Sequence, residues 1–207
     1  MKDNVLTAPV ISCSRLRMAT DGQGVTTLVV FHDCPLRCKY CINAYSFDPS
    51  TKREDMTPLE LYQKAKIDDL YFVATGGGVT FGGGEPLLRA PFLQSFRELC
   101  GDRWHLCAET SLNVPENAVR MAAECIDTFY VDCKDTDSEI YRAYTGKDNT
   151  LMLENLRLLL SLVGPLRVVV RIPLIPDYNT PAHQEASRER LRDMGVTQFD
   201  LFTYKVK

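Results

Sequence analysis

No run in the 207-residue sequence approaches the roughly 18 consecutive apolar residues that a membrane span requires, and residues 1–8 lack the charged-then-apolar layout of a secretion signal. A cytoplasmic protein with no membrane partner is therefore expected, and its thiols should be reduced. Charge of one sign is also missing. Lys and Arg number 24 against 27 Asp and Glu, and the basic stretch 188–192 includes Glu189, as a solvated helix face would. Nothing here points to a nucleic-acid partner. Internal repeats, low-complexity segments and linkers are absent too, so one domain over 1–207 is expected. The composition, 45% hydrophobic and 25% charged, is that of an ordinary globular chain.

What is present is alternation. Apolar, β-branched runs at 26–32, 78–81, 105–110, 128–132, 166–172 and 198–204 read as strands. Segments with helical spacing lie between them at 57–73, 90–99, 116–125, 151–162 and 181–194, several opened by an X-Pro start. Strands alternating with helices predict parallel pairing with right-handed crossovers. In such folds ligands gather at the carboxyl ends of the strands, so chemistry should be sought just after each one.

Immediately after the first predicted strand comes Cys34-Pro35-Leu36-Arg37-Cys38-Lys39-Tyr40-Cys41, three soft ligands on one loop. That grouping suits iron-sulfur or zinc. A closed zinc site wants four ligands and usually a second Cys pair; none is present, leaving His32 as the fourth candidate. Three cysteines on a four-iron cluster would instead leave one iron open to an outside ligand. The remaining cysteines, Cys13, Cys100, Cys107, Cys125 and Cys133, sit singly and read as small core residues. After the second predicted strand comes Phe81-Gly82-Gly83-Gly84-Glu85-Pro86, where glycine permits positive φ and close backbone approach and Glu85 offers a carboxylate to an ammonium group.

The C-x-x-x-C-x-x-C spacing, with Tyr40 before the last Cys, resembles the radical S-adenosylmethionine superfamily, and Gly83-Gly84-Glu85 one βα unit later is similar to its Gly-Gly-Glu motif. Within that superfamily the chain resembles the activases of glycyl radical enzymes. The resemblance runs through Asp21-Gly22-Gln23-Gly24, Gly76-Gly77-Gly78-Val79-Thr80, Glu109-Thr110, Asp132-Cys133-Lys134, Thr145-Gly146-Lys147-Asp148-Asn149, and Arg171 followed by Ile175-Pro176.

The resemblance implies an α/β fold, a partial (β/α)6 barrel of six parallel strands, open because the sequence stops after the sixth. It implies a 4Fe-4S cluster on Cys34, Cys38 and Cys41, with S-adenosylmethionine chelating the open iron. Cleavage of that molecule would give a 5'-deoxyadenosyl radical, in anaerobic chemistry. Gly83, Gly84 and Glu85 would hold the methionine amino group, and Tyr40, Lys134 and Arg171 would contact the cofactor. Glu109, Thr110 and Asp132 fall at positions that help bind a monovalent cation, Glu109 standing where the family has Asp. Residues 42–78 contain no Cys, so one cluster is expected. The implied partners are a glycyl radical enzyme as protein substrate and a flavodoxin- or ferredoxin-type electron donor, with the chain a monomer.

Read from the residues alone, Asp132 and Lys134 also suit a plain ion pair on one strand face, and Arg171 a buried structural salt bridge. Three functions stay open: a glycyl radical enzyme activase, a radical enzyme acting on a small molecule or peptide, and a non-catalytic metal-binding protein.

Overall fold

In the computed structural model, which describes residues 5–18 and 21–204, the parallel run begins where the sequence placed it. The six expected strands are β2 (Val25–Phe31), β4 (Gly78–Gly83), β5 (His105–Thr110), β6 (Thr128–Asp132), β7 (Val168–Leu174) and β8 (Gln198–Thr203). Each pairs in parallel with the next. Two further strands extend the sheet at its β2 edge: β1 (Ala8–Met18), antiparallel to β2, and β3 (Glu54–Met56), antiparallel to the first residues of β1. The order is β3-β1-β2-β4-β5-β6-β7-β8, so the sheet ends in β3 and β8 and does not close.

β1 escaped the pattern analysis for a physical reason. Register shifts between Val10 and Ser12 and between Ser14 and Arg17 break the two-residue alternation, and much of the strand is exposed.

Helices cover the outer face: α1 (Pro58–Ala65), α2 (Asp69–Thr75), α3 (Ala90–Cys100), α4 (Glu116–Cys125), α5 (Ser138–Thr145), α6 (Thr150–Val163) and α7 (Pro181–Asp193). α1 opens on a capping box: the Glu60 amide donates to Thr57 Oγ1, and the Thr57 amide donates back to the Glu60 carboxylate, with Pro58 in the first turn. The single helix expected over 57–73 is two. A 3-10 turn at Lys66–Asp68 divides it, and there the buried Asp68 carboxylate accepts both Nε and Nη2 of Arg15 from β1, at 2.7 and 2.6 Å. α5, like β1 and β3, has no counterpart among the elements expected from the sequence. Asp137 caps it by accepting from the amides of Glu139 and Ile140.

The layer between sheet and helices is rich in aromatic side chains. Phe31 stacks on Phe81 and meets Phe92 edge-on, while Phe96 and Phe72 pack against Trp104. Cys100, Cys125 and Cys133 are buried in this interior, as expected of single small residues; Cys107 is buried on the other face of β5, beside Gly22, and Cys13 is half-buried on β1. Among the described residues no helix is long and apolar enough to cross a membrane.

Candidate functional site

A cavity of about 570 Å³ lies on the inner face of the sheet, and all the site residues expected from the sequence line it except Tyr40. Its volume falls in the usual range for small-molecule sites. Residues of β1 (Ser12, Ser14, Arg17) and side chains at and just after β8 (Phe202, Tyr204) share it, so the sheet curls far enough for its two sides to face one space.

The loop after β2 turns sharply at Asp33, which has φ +78°. The Asp33 amide donates to Ser46 O, and the Arg37 and Lys39 amides donate to Thr145 and Tyr144 carbonyls at the end of α5. Arg37 donates to the Cys34 and Leu36 carbonyls and lies over the Phe47 ring, holding the turn between the first two cysteines. Cys34, Cys38 and Cys41 are unpaired thiols that share the cavity. Burial pushes the Cys34 thiol up to about 12 and Cys38 to about 11, so holding them as thiolates takes a cationic metal centre.

A single zinc ion is a poor occupant. Among the described residues no three His, Cys, Asp or Glu side chains gather closely enough for one ion. His32, the fourth ligand a zinc site would recruit, has both ring nitrogens engaged, with Asp33 Oδ1 at 2.9 Å and the Asp48 carbonyl at 3.0 Å. Three thiols with no fourth protein ligand fit a multinuclear cluster with one open corner.

The Gly83-Gly84-Glu85 segment is pressed against this loop. Gly83 has φ +91°, and a Cβ there would strike Val30; one on Gly84 would strike the Asp33 carbonyl. The Gly84 and Glu85 amides donate to Phe31 O and Asp33 O at 3.0 and 2.8 Å. The glycines therefore serve chain-to-chain packing here, bringing the two motifs together.

Glu85 is buried, and its carboxylate accepts from Leu87 N, Thr110 Oγ1, Ser111 N and Ser111 Oγ. Burial raises its carboxyl above the usual glutamate range while these donors pull the other way. With four donors already placed, Glu85 ties the turn after β4 to the end of β5.

Across the cavity the strand register brings the charged residues together, since Asp132 and Arg171 are Cα partners on β6 and β7. Arg171 Nε donates to Asp132 Oδ1 and Nη1 to Glu109 Oε1, both at 2.8 Å. Lys134 Nζ donates to Asp132 Oδ2 at 3.0 Å and to the Tyr204 hydroxyl at 2.9 Å. The ion pair and the salt bridge that the sequence left open are thus one network facing the cavity. Burial works against charge on Asp132, but Lys134 and Arg171 outweigh it and hold the carboxyl below the ordinary aspartate range. The Lys134 ammonium, although buried, is likewise held well above its ordinary value by Asp132 and Tyr204.

Tyr40 lies behind the loop instead. Its hydroxyl donates to Asp177 Oδ2 at 3.1 Å, and its ring meets Tyr144 and Tyr178 edge-on, which fastens the loop to α5 and to the segment after β7. Tyr204, Arg17 and Ser111 line the cavity too, beyond the residues expected from the sequence. Tyr204 was within reach, because it closes the predicted strand 198–204; Arg17 was not, because β1 was unrecognised.

Comparison with known proteins agrees with this geometry. Among solved structures, Streptococcus suis SuiB bound to S-adenosylmethionine superposes with a TM-score of 0.65 at 12% identity, over 87% of this chain and 42% of SuiB. The enzyme anSMEcpe with bound AdoMet gives 0.57 at 20% identity, over 84% of this chain and 50% of that one. These identities speak to the fold alone. In sequence, the pyruvate formate-lyase-activating enzyme of Staphylococcus aureus is 33% identical over 166 residues, which is 77% of this chain and 65% of that enzyme. The chain thus spans just under two thirds of the length of this relative. The family model for the radical SAM superfamily matches residues 28–186, from the strand before the cysteine loop to α7. A 4Fe-4S cluster and S-adenosylmethionine are the cofactors that this family implies, and with three thiols and the Lys134–Asp132–Arg171 network lining one cavity on such a fold, the chain belongs to the radical SAM superfamily.

Proposed function

We propose that the protein is a glycyl radical enzyme activase, which removes a hydrogen atom from the Cα of a glycine in a partner protein. The observation that carries this reading is the convergence of Cys34, Cys38, Cys41, Lys134 and Arg171 on one cavity, in a chain 33% identical to a pyruvate formate-lyase-activating enzyme. When bound, the cluster and S-adenosylmethionine together supply a 5'-deoxyadenosyl radical able to take hydrogen from an unactivated carbon.

The chain's own residues bind, orient and shield. Cys34, Cys38 and Cys41 hold the cluster, and the Arg37 and Tyr40 contacts keep their loop in place. Lys134 has two of its three N–H groups on Asp132 and Tyr204, leaving one for the cofactor carboxylate, and Arg171 keeps Nη2 for the same group. Asp132 aims both cations. Glycine suits the role of substrate: without a side chain its backbone passes deep into a cavity, here through the gap between the β1 and β8 sides of the open sheet. The chain acts as a single-domain monomer in the cytoplasm under anaerobic conditions, and a flavodoxin- or ferredoxin-type protein delivers the electron.

The test is anaerobic incubation of the cluster-loaded protein with S-adenosylmethionine, a reductant and a candidate glycyl radical enzyme. A glycyl signal by electron paramagnetic resonance is the expected result. Production of 5'-deoxyadenosine stimulated by a small metabolite or peptide, with no glycyl signal from any candidate, would move the substrate elsewhere within the family.

A further inference from the structure

Glu109 and Asp132 stand at the ends of neighbouring parallel strands, on the same face of the sheet. Two carboxylates so placed repel each other unless positive charge lies between them. The resemblance puts a monovalent metal ion there, with Glu109, Thr110 and Asp132 among its ligands. The atoms that such an ion would use, Glu109 Oε2 excepted, are already engaged within the chain. Asp132 has one oxygen on Lys134 Nζ and the other on Arg171 Nε. Glu109 has Oε1 on Arg171 Nη1. The Thr110 hydroxyl donates to Glu85 Oε1 at 2.7 Å and accepts from the Leu112 amide at 2.9 Å. What lies between the two carboxylates is a guanidinium.

We propose that Arg171 is the resident cation of this site, so that the protein binds S-adenosylmethionine without a monovalent metal ion. The inference rests on the reading that the cavity takes that molecule. Its structural basis is a matched set of three residues. The extra methylene of Glu109 carries its carboxylate out to Arg171. Gly82 makes room for it, since a Cβ at that position would come within 2.8 Å of Glu109 Oε2. Arg171 closes the arrangement with two parallel-strand partners, and its planar fork satisfies both carboxylates at once, which a spherical ion held by the same atoms would do only with added ligands.

The measurement is the dissociation constant of S-adenosylmethionine for the cluster-loaded protein by anaerobic calorimetry, in KCl, NaCl and choline chloride at equal ionic strength. A parallel scan follows the thermal midpoint in the same salts without S-adenosylmethionine. The wild-type constant is expected to agree within about twofold across the salts, and the midpoint to stay put, because an ion that binds the native state would raise it by mass action. In Arg171→Gln, binding should weaken in choline chloride and recover by about fivefold or more in KCl or NaCl, the coupling expected when an ion refills the gap.

A wild-type affinity that falls fivefold or more when the metal cations are withdrawn overturns the proposal. So does an Arg171→Gln protein whose binding is equally weak in every salt, since the guanidinium would then be a contact to the cofactor and nothing more. Absence of S-adenosylmethionine binding by the wild type in all three salts would instead remove the functional reading on which this rests.

Discussion

The cysteine thiols set the terms on which metal enters. Cys34 and Cys38 are held as thiols up to about 12 and 11, yet only thiolates ligate iron, so cluster assembly must release protons. Iron uptake in reconstitution should therefore strengthen with pH, by about tenfold per unit for each thiol that deprotonates on binding. Titration with ferrous iron and sulfide between neutral and mildly alkaline pH reads this directly; a flat profile would mean that the thiols are already ionised. Asp132 behaves in the opposite sense. Its folded-state carboxyl lies below the unfolded value, so its contribution to stability is complete above about pH 4 and disappears as pH falls through the lower folded value. Asp132→Asn should cost about 2 kcal/mol at neutral pH, because Lys134 and Arg171 lose their shared partner. Urea melts should show that gap narrowing in acid.

Three connections between elements position the site. The two motif loops are laced together by hydrogen bonds from the Gly84 and Glu85 amides to the carbonyls of Phe31 at the end of β2 and Asp33 just after it, and Glu85 reaches β5 through Thr110 and Ser111. Arg15 of β1 is clamped on Asp68, ahead of α2, and this clamp braces the antiparallel edge against the helix layer. Arg15→Ala leaves a buried carboxylate without its partner and should destabilise by about 2 kcal/mol, read as a lower denaturant midpoint at unchanged slope. If the slope changes instead, β1 has come away from the sheet and the native state itself is less compact.

For the molecule as a whole, the open sheet matters most. β1 and β8 both line the cavity although the sheet does not join them, so a bound cofactor is the natural bridge between the two sides. S-adenosylmethionine at about a hundred times its dissociation constant should stabilise the cluster-loaded protein by about 2.7 kcal/mol. For a chain of this size that is a rise of about 2–4 °C in melting temperature per kcal/mol. Cluster-free protein should show little of it, and Lys134→Met should lose most of it. Equal stabilisation with and without iron would place the binding site away from the cysteines.

The parallel strands and the order of the motifs were legible in the chain alone because both are local. Strand residues repeat at short range, and ligands in such folds collect directly after strand ends, so Cys34 and Glu85 could be named before any coordinates, whereas Glu109, Asp132 and Arg171 were named only through the family resemblance. β1 was not legible, since its register shifts erase the alternation that marks a strand. Nor was the engagement of Glu85 by donors more than twenty residues away, or of both carboxylates by Arg171, since hydrogen-bond partners distant in sequence are chosen by register and curl rather than by spacing. Residue types and their order along the chain told which atoms could do chemistry. Packing of the strand ends against one another assigned those atoms to cofactor, to scaffold, or to each other, because a donor has only so many hydrogen-bond directions and the folded chain fills some of them first.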